Sequence, residues 1–233
     1  LQDQVFNLVL VSPRHDLLGS LVLHELTAGN HVFVEKPLTI HKQELDQIEA
    51  FYRENPDGPL LMVGYNRRFS PAMQKIKQLL ADRTTPLIAN YRMNAGYIDP
   101  DHWVHGAEGG GRNLGEACHI YDLFDYLCDA SSDVTVSATA IDTASPQWAK
   151  NDNFVATLKY KDGSVCNLVY TALGNKTYPK EQMEVFADGK VITLKDYKSV
   201  EVHGSSQKGW SSSTADKGHF QQMEQLANAL TQG

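Results

Sequence analysis

His31-Val32-Phe33-Val34-Glu35-Lys36-Pro37 begins as an apolar, β-branched run and stops at an acid, a base and a proline. Val32, Phe33 and Val34 read as a buried strand. Pro37 has no N–H to give to a ladder, so the strand ends there. Glu35 and Lys36 then stand at the carboxyl end of a strand, where α/β sheets bind ligands. A lysine held at that rim can donate to a substrate hydroxyl or carbonyl. The alternative is a surface Glu-Lys pair ahead of a turn, since lysine is mostly a solvated residue.

The flanking sequence has the rhythm of a parallel sheet. Residues 6–11 form an apolar strand closed by Ser12-Pro13, and residues 16–28 carry helical spacing from Asp16 to a stop at Gly29-Asn30. Beyond Pro37, residues 39–53 predict a second helix, Asn55-Pro56-Asp57-Gly58 a turn, and residues 60–63 a third strand ending at Gly64-Tyr65-Asn66. Strand–helix–strand–helix–strand implies parallel strands joined by right-handed crossovers. Three strands fall short of the about five or six of a doubly wound sheet. Gly109-Gly110-Gly111-Arg112-Asn113-Leu114 follows no strand and has no acidic partner at the required distance, so it is no dinucleotide fingerprint.

The remainder has a different rhythm. Ser70 caps and Pro71 opens a helix running to about residue 81. Residues 87–93 predict a strand. Residues 94–112 form a glycine-rich loop carrying Tyr97, His102, Trp103 and His105, of the kind that holds function on a scaffold. Residues 114–127 predict a helix. Strands follow at 134–142, 154–160, 164–173, 182–187 and 191–194, with hairpin turns at Lys161-Asp162-Gly163-Ser164 and Asp188-Gly189. Residues 205–213 are serine-rich and read as mobile, and 217–230 as a closing helix. The expected fold is α/β plus α+β: a partial Rossmann-like parallel unit over 1–66, then at 67–233 a domain with an open, mainly antiparallel sheet packed on helices.

The chain has 233 residues, 42% of them hydrophobic and 21% charged, as in ordinary globular proteins. A net charge of −7 with mixed signs argues against a nucleic-acid surface. No apolar run reaches the length of a membrane span. The first residues lack the basic start of a leader, so a cytoplasmic protein is the default expectation. Cys118, Cys128 and Cys166 form no paired motif and read as reduced core thiols.

His119 and Asp122 share one face of the predicted helix 114–127, and Glu116 lies three residues before His119. A histidine beside a carboxylate is a candidate proton carrier; the alternative is a satisfied core histidine under an N-terminal acid. His102, His105, Glu108 and His119 lack metal-site spacing, so no metal is expected. Arg67 and Arg68 suit a phosphate or a sugar acid, or else a solvated helix start. No Gly-x-Ser-x-Gly elbow is present.

Ser12-Pro13-Arg14-His15, Glu35-Lys36-Pro37, Gly64-Tyr65-Asn66-Arg67-Arg68-Phe69, and Gly109-Gly110-Gly111 followed by His119-x-x-Asp122 occur in the order seen in the Gfo/Idh/MocA oxidoreductases, which this chain resembles over essentially its whole length. The resemblance implies NAD or NADP as cofactor and a sugar, cyclitol or nucleotide-sugar hydroxyl as substrate. It implies a Rossmann domain, represented by residues 1–66, and a substrate and oligomerisation domain over 67–233, with homo-oligomers formed through the antiparallel sheet. By position, Lys36 is the catalytic or substrate-orienting lysine and His119 the proton-exchanging histidine. Ser12, Pro13, Arg14, His15, Glu35 and Arg67 are expected at the cofactor, and Arg68, Tyr97, Trp103, Asn113 and Asp122 at the substrate. The family's aspartate four residues before the histidine is Gly115 here, leaving neighbouring Glu116 as the candidate catalytic acid. The family's first strand and glycine loop are missing, so a truncated chain, weak in cofactor binding, is expected. Two other classes stay open: a binding or regulatory module that keeps the fold without catalysis, and a non-redox lyase or isomerase using Lys36 and His119.

Overall fold

The computed structural model describes residues 7–129, 133–142, 145, 147–148 and 150–232. They fall into two compact units, neither of them one continuous segment. Of the described residues, the first comprises those within 7–65, 101–118 and 223–232, and the second those within 66–100 and 119–222.

The first unit holds a three-stranded parallel sheet in the order β1 (Leu8–Val11), β2 (His31–Val34), β3 (Leu61–Val63). Helices α1 (Leu18–Thr27) and α2 (Lys42–Glu54) are the crossovers. The expected rhythm is present, with smaller bounds: residue 6 lies outside the described residues, and α1 is preceded by a 3-10 turn, His15–Leu17. Leu18, Val22 and Leu26 recur at four-residue spacing, so one stripe of α1 packs on Val11, Val32 and Val34 of the sheet and on Ile48 of α2. Burying a side chain of this kind contributes about 1.5–3 kcal/mol. The backbone then stops where Pro37 requires it. Glu35 N–H still pairs with the Val11 carbonyl at 2.8 Å, and Lys36 is the first residue past the ladder.

The second unit is built on an eight-stranded sheet: β4 (Ile88–Asn94), β5 (Thr135–Ala140), β6 (Asn153–Lys159), β7 (Val165–Thr171), β8 (Glu181–Ala187), β9 (Lys190–Lys195), β10 (Ser199–His203) and β11 (Trp210–Ser211). Its order is β11-β10-β9-β8-β4-β7-β6-β5. Every pairing is antiparallel except β4 with β7, so the sheet is mainly antiparallel, as expected. Asp188 and Gly189 at φ 48° and 74° make the two-residue turn between β8 and β9. One face carries the buried Ala89, Tyr91, Met93, Leu168, Tyr170, Met183 and Val185. Helix α3 (Pro71–Leu79) begins as predicted, with the Ser70 hydroxyl accepting from Met73 N–H.

Three expectations need correction. Residues 205–213, read as mobile, contain β11, whose Trp210 pairs with Val200. Ser199-Val200-Glu201-Val202-His203, for which no strand is predicted, forms β10 and alternates with period two. The helix predicted at 114–127 starts instead as a wide π turn, Asn113–Ala117, before the α-helix α4 (Cys118–Cys128). The wide turn contains Gly115, which resists irregular dihedrals least. The last helix, α5, runs His219–Gln232. None of the three cysteines is in a disulfide; Cys128 and Cys166 are buried as expected and Cys118 only half-buried. Among the described residues no helix is long and apolar enough to cross a membrane.

Candidate functional site

In the first unit the chemistry collects at the carboxyl ends of the parallel strands. Lys36 lies two residues past the end of β2, and its ammonium donates to the Gly115 carbonyl at 2.6 Å. Glu35 is exposed beside it and lies against Gly64: a Cβ at Gly64 would come within 3.0 Å of the Glu35 carboxylate. After β1, Ser12, Pro13 and Arg14 are exposed, while His15 turns inward and is 9% exposed.

His15 is held on three sides. Its Nδ1 lies 2.9 Å from the Gly109 carbonyl oxygen, which can only accept, so Nδ1 carries the proton and Nε2 the lone pair. Its ring meets Trp103 edge-on at 5.1 Å. A Cβ at Gly115 would lie 2.8 Å from its Cε1. Burial pushes the imidazole below its ordinary pKa, helped by the Lys36 charge and opposed by the Gly109 carbonyl and Asp16. That shift favours the neutral ring. Arg14 lies over Trp103 at 5.4 Å and pairs with Glu108.

Of the expected residues, the structure thus brings together Lys36, Arg14, His15 and Trp103, and adds Glu108, Gly109 and Gly115. The triple glycine was visible in the sequence; its close packing was not. A Cβ at Gly109 would fall 2.3 Å from the Val104 carbonyl oxygen, so the loop closes on itself only with glycine there. Glu116, the candidate acid, is paired with the buried Arg112 at 2.9 Å. Asn113 is half-buried in the π turn.

The second unit holds the remaining candidates. His119 is 8% exposed and lies in the first turn of α4. Arg68 and Asp122, both expected at the substrate, are paired with each other: Arg68 Nε donates to Asp122 Oδ2 at 2.9 Å, and a second bond reaches Oδ1. Burial raises the Asp122 pKa, with Arg68 pulling the other way. Tyr97 is exposed, with its ring edge-on to Trp148 at 5.4 Å. Arg67, expected at the cofactor, is buried and ion-paired with Glu181 at 3.1 Å. Glu181 also accepts from Lys217 at 2.6 Å and from the Tyr91 hydroxyl at 2.6 Å, a network unforeseen because its members are 24–150 residues apart in sequence. Among the described residues no group of three or more His, Cys, Asp or Glu is placed to hold a metal ion.

Comparison with known proteins agrees with this architecture. The GFO/IDH/MocA C-terminal domain matches residues 73–208, more than half of the chain. The chain belongs to the GFO/IDH/MocA family. Among similar proteins, the uncharacterized oxidoreductase YrbE of Bacillus subtilis is 24% identical over 169 residues, covering 71% of this chain and 48% of YrbE. The scyllo-inositol 2-dehydrogenase (NADP(+)) IolW of the same organism is 28% identical over 127 residues, 54% of this chain and 34% of IolW. The chain therefore spans about half the length of the one relative and a third of the other. The fold is similar to that of the solved structure of UDP-N-acetylglucosamine 3-dehydrogenase GnnA from Acidithiobacillus ferrooxidans, with a TM-score of 0.75 at 19% identity over 97% of this chain and 69% of that one.

Proposed function

We propose that the protein is an NAD(P)-dependent dehydrogenase that oxidises a hydroxyl of a cyclitol or sugar. The observation that carries this reading is Lys36 at the carboxyl end of β2, its ammonium held by the Gly115 carbonyl. The IolW name supports both a cyclitol substrate and a nicotinamide cofactor. The carboxyl edge of three parallel strands, with Ser12, Pro13, Arg14 and Glu35 exposed along it, fits a dinucleotide. That cofactor, when bound, supplies the hydride acceptor.

The chain's own residues position and polarise. Lys36 presents a positive charge to the reacting oxygen, favouring the form in which that oxygen gains negative charge. His119 is the residue this reading assigns to take the hydroxyl proton. Arg68 and Asp122 hold each other, which makes their part structural unless substrate displaces the pair. The second unit serves self-association: Ile88 and Phe186, paired across β4 and β8, and Val155 and Val169, paired across β6 and β7, are exposed on one face of its sheet.

The test is a screen of the intact protein against inositols and sugars with NAD+ and NADP+, following cofactor reduction. Reduction with at least one cyclitol or sugar is expected. Tight cofactor binding with no reduction by any of them would favour a non-catalytic module. Substrate turnover without added nicotinamide would favour a lyase or isomerase.

A further inference from the structure

Two side chains from different strand ends converge on one glycine. The Lys36 ammonium rests on the Gly115 carbonyl at 2.6 Å, and the His15 ring lies where a side chain at 115 would begin. The same ring is fixed from behind by the Gly109 carbonyl at 2.9 Å and from the side by Trp103. We propose that His15 is a positioning residue for Lys36: its ring fills the space beside Gly115 and, anchored to Gly109, fixes the carbonyl on which the ammonium rests. The proposal rests on the reading of Lys36 given above.

Size and charge both fit that role. Gly115 cannot take even a methyl group while the ring is in place, so the two residues are complementary in volume. The charged groups facing the ring are Lys36 from the end of β2 and Asp16 from its own turn; Arg14 lies over Trp103 and pairs with Glu108, and His102 also packs on Trp103. A neutral imidazole beside an ammonium leaves the lysine's charge for the substrate oxygen. A protonated one would repel the lysine from its seat.

The expected consequence is compensation between positions 15 and 115. His15→Ala opens a void beside the carbonyl, and Gly115→Ala drives a methyl into the ring. Each should lower kcat by about 100-fold with a smaller change in KM, because the displaced group orients the reacting atoms. With both changes in one chain, the methyl no longer meets a ring and fills part of the void, and kcat should recover above either single variant. His15→Asn, whose amide can still donate to the Gly109 carbonyl, should stay within about ten-fold of the parent, a loss smaller than that of mere misplacement. Losses that simply multiply in the double variant would overturn the proposal.

A second readout does not depend on turnover. The pH at which the His15 ring titrates, followed by NMR in the intact protein, should rise in Lys36→Met, since the charge that lowers it is gone. An unchanged titration would show that the two groups do not interact and would sink the proposal. Failure to find a reducing substrate, by contrast, would strike the dehydrogenase reading and leave this titration standing.

Discussion

Lys36 Nζ and the Gly115 carbonyl oxygen lie 2.6 Å apart across 79 residues of sequence. The acceptor is neutral, so the contact directs the ammonium without cancelling its charge. Lys36→Met should therefore lower kcat by about 100- to 1000-fold, the loss expected for one donor aimed at developing negative charge. Circular dichroism and melting temperature should stay near the parent's. Lys36→Arg should not rescue, because a planar fork does not fit a seat shaped for one ammonium. Turnover within a few-fold of the parent in Lys36→Met would remove the lysine from the chemistry.

The loop that brings Gly115 to Lys36 depends on Gly109. Its Cα lies so close to the Val104 backbone that an added Cβ would fall 2.3–2.5 Å from three of its atoms, none of which can swing aside. Gly109→Ala should cost about 1–3 kcal/mol, the usual penalty of overpacking. Chemical denaturation measures this directly. A variant as stable as the parent would mean that the loop has another conformation of equal energy.

In the second unit, Glu181 is 1% exposed and accepts from Arg67, Lys217 and Tyr91. Burial raises its pKa, but the charges of Arg67 and Lys217, with the Lys217 and Tyr91 hydrogen bonds, pull harder and leave it below the ordinary value of 4.5. A depressed carboxyl stabilises the fold above the unfolded value and loses that contribution as pH falls through the folded one. Stability should thus begin to drop near pH 4.5 and continue downward. In Glu181→Gln the drop over this window should be shallower. That variant should also be less stable at neutral pH by about 3–5 kcal/mol, since Arg67 keeps its buried charge and loses its counter-charge. Melting curves between neutral and acid pH separate the two effects.

Much of this was legible in the chain, and the failures have a pattern. β1, β2 and β3 were readable because each is a short apolar run bounded by turn residues, a local signal. Lys36 was readable because Pro37 fixes where its strand must stop. The place of His15 was not, since its partners Gly109 and Gly115 are about one hundred residues away, and no periodicity links a ring to the glycine that makes room for it. The pairing of Glu116 with Arg112 has a local cause, since one helical turn of separation brings the two together. The wide turn at Asn113–Ala117 has no sequence signature that separates it from an ordinary helix start.

The sheet face of the second unit gives a test of self-association. Val155 and Val169 pair directly across β6 and β7 and are 45% and 42% exposed. If copies of the chain associate through this face, Val155→Glu with Val169→Glu places two like charges in the contact. Sedimentation should then show a smaller species than the parent at equal concentration, with the far-ultraviolet spectrum preserved. An unchanged sedimentation profile would put any oligomer contact elsewhere.

The most direct test of the account follows the hydrogen itself. A substrate found in the cofactor-reduction screen is prepared with deuterium on its carbinol carbon, and the products are analysed by mass spectrometry. Hydride chemistry predicts one deuterium on the reduced nicotinamide, with turnover falling in Lys36→Met while the destination of the label stays the same. Label lost to solvent or retained in the product, with the nicotinamide unlabelled, would contradict the dehydrogenase account.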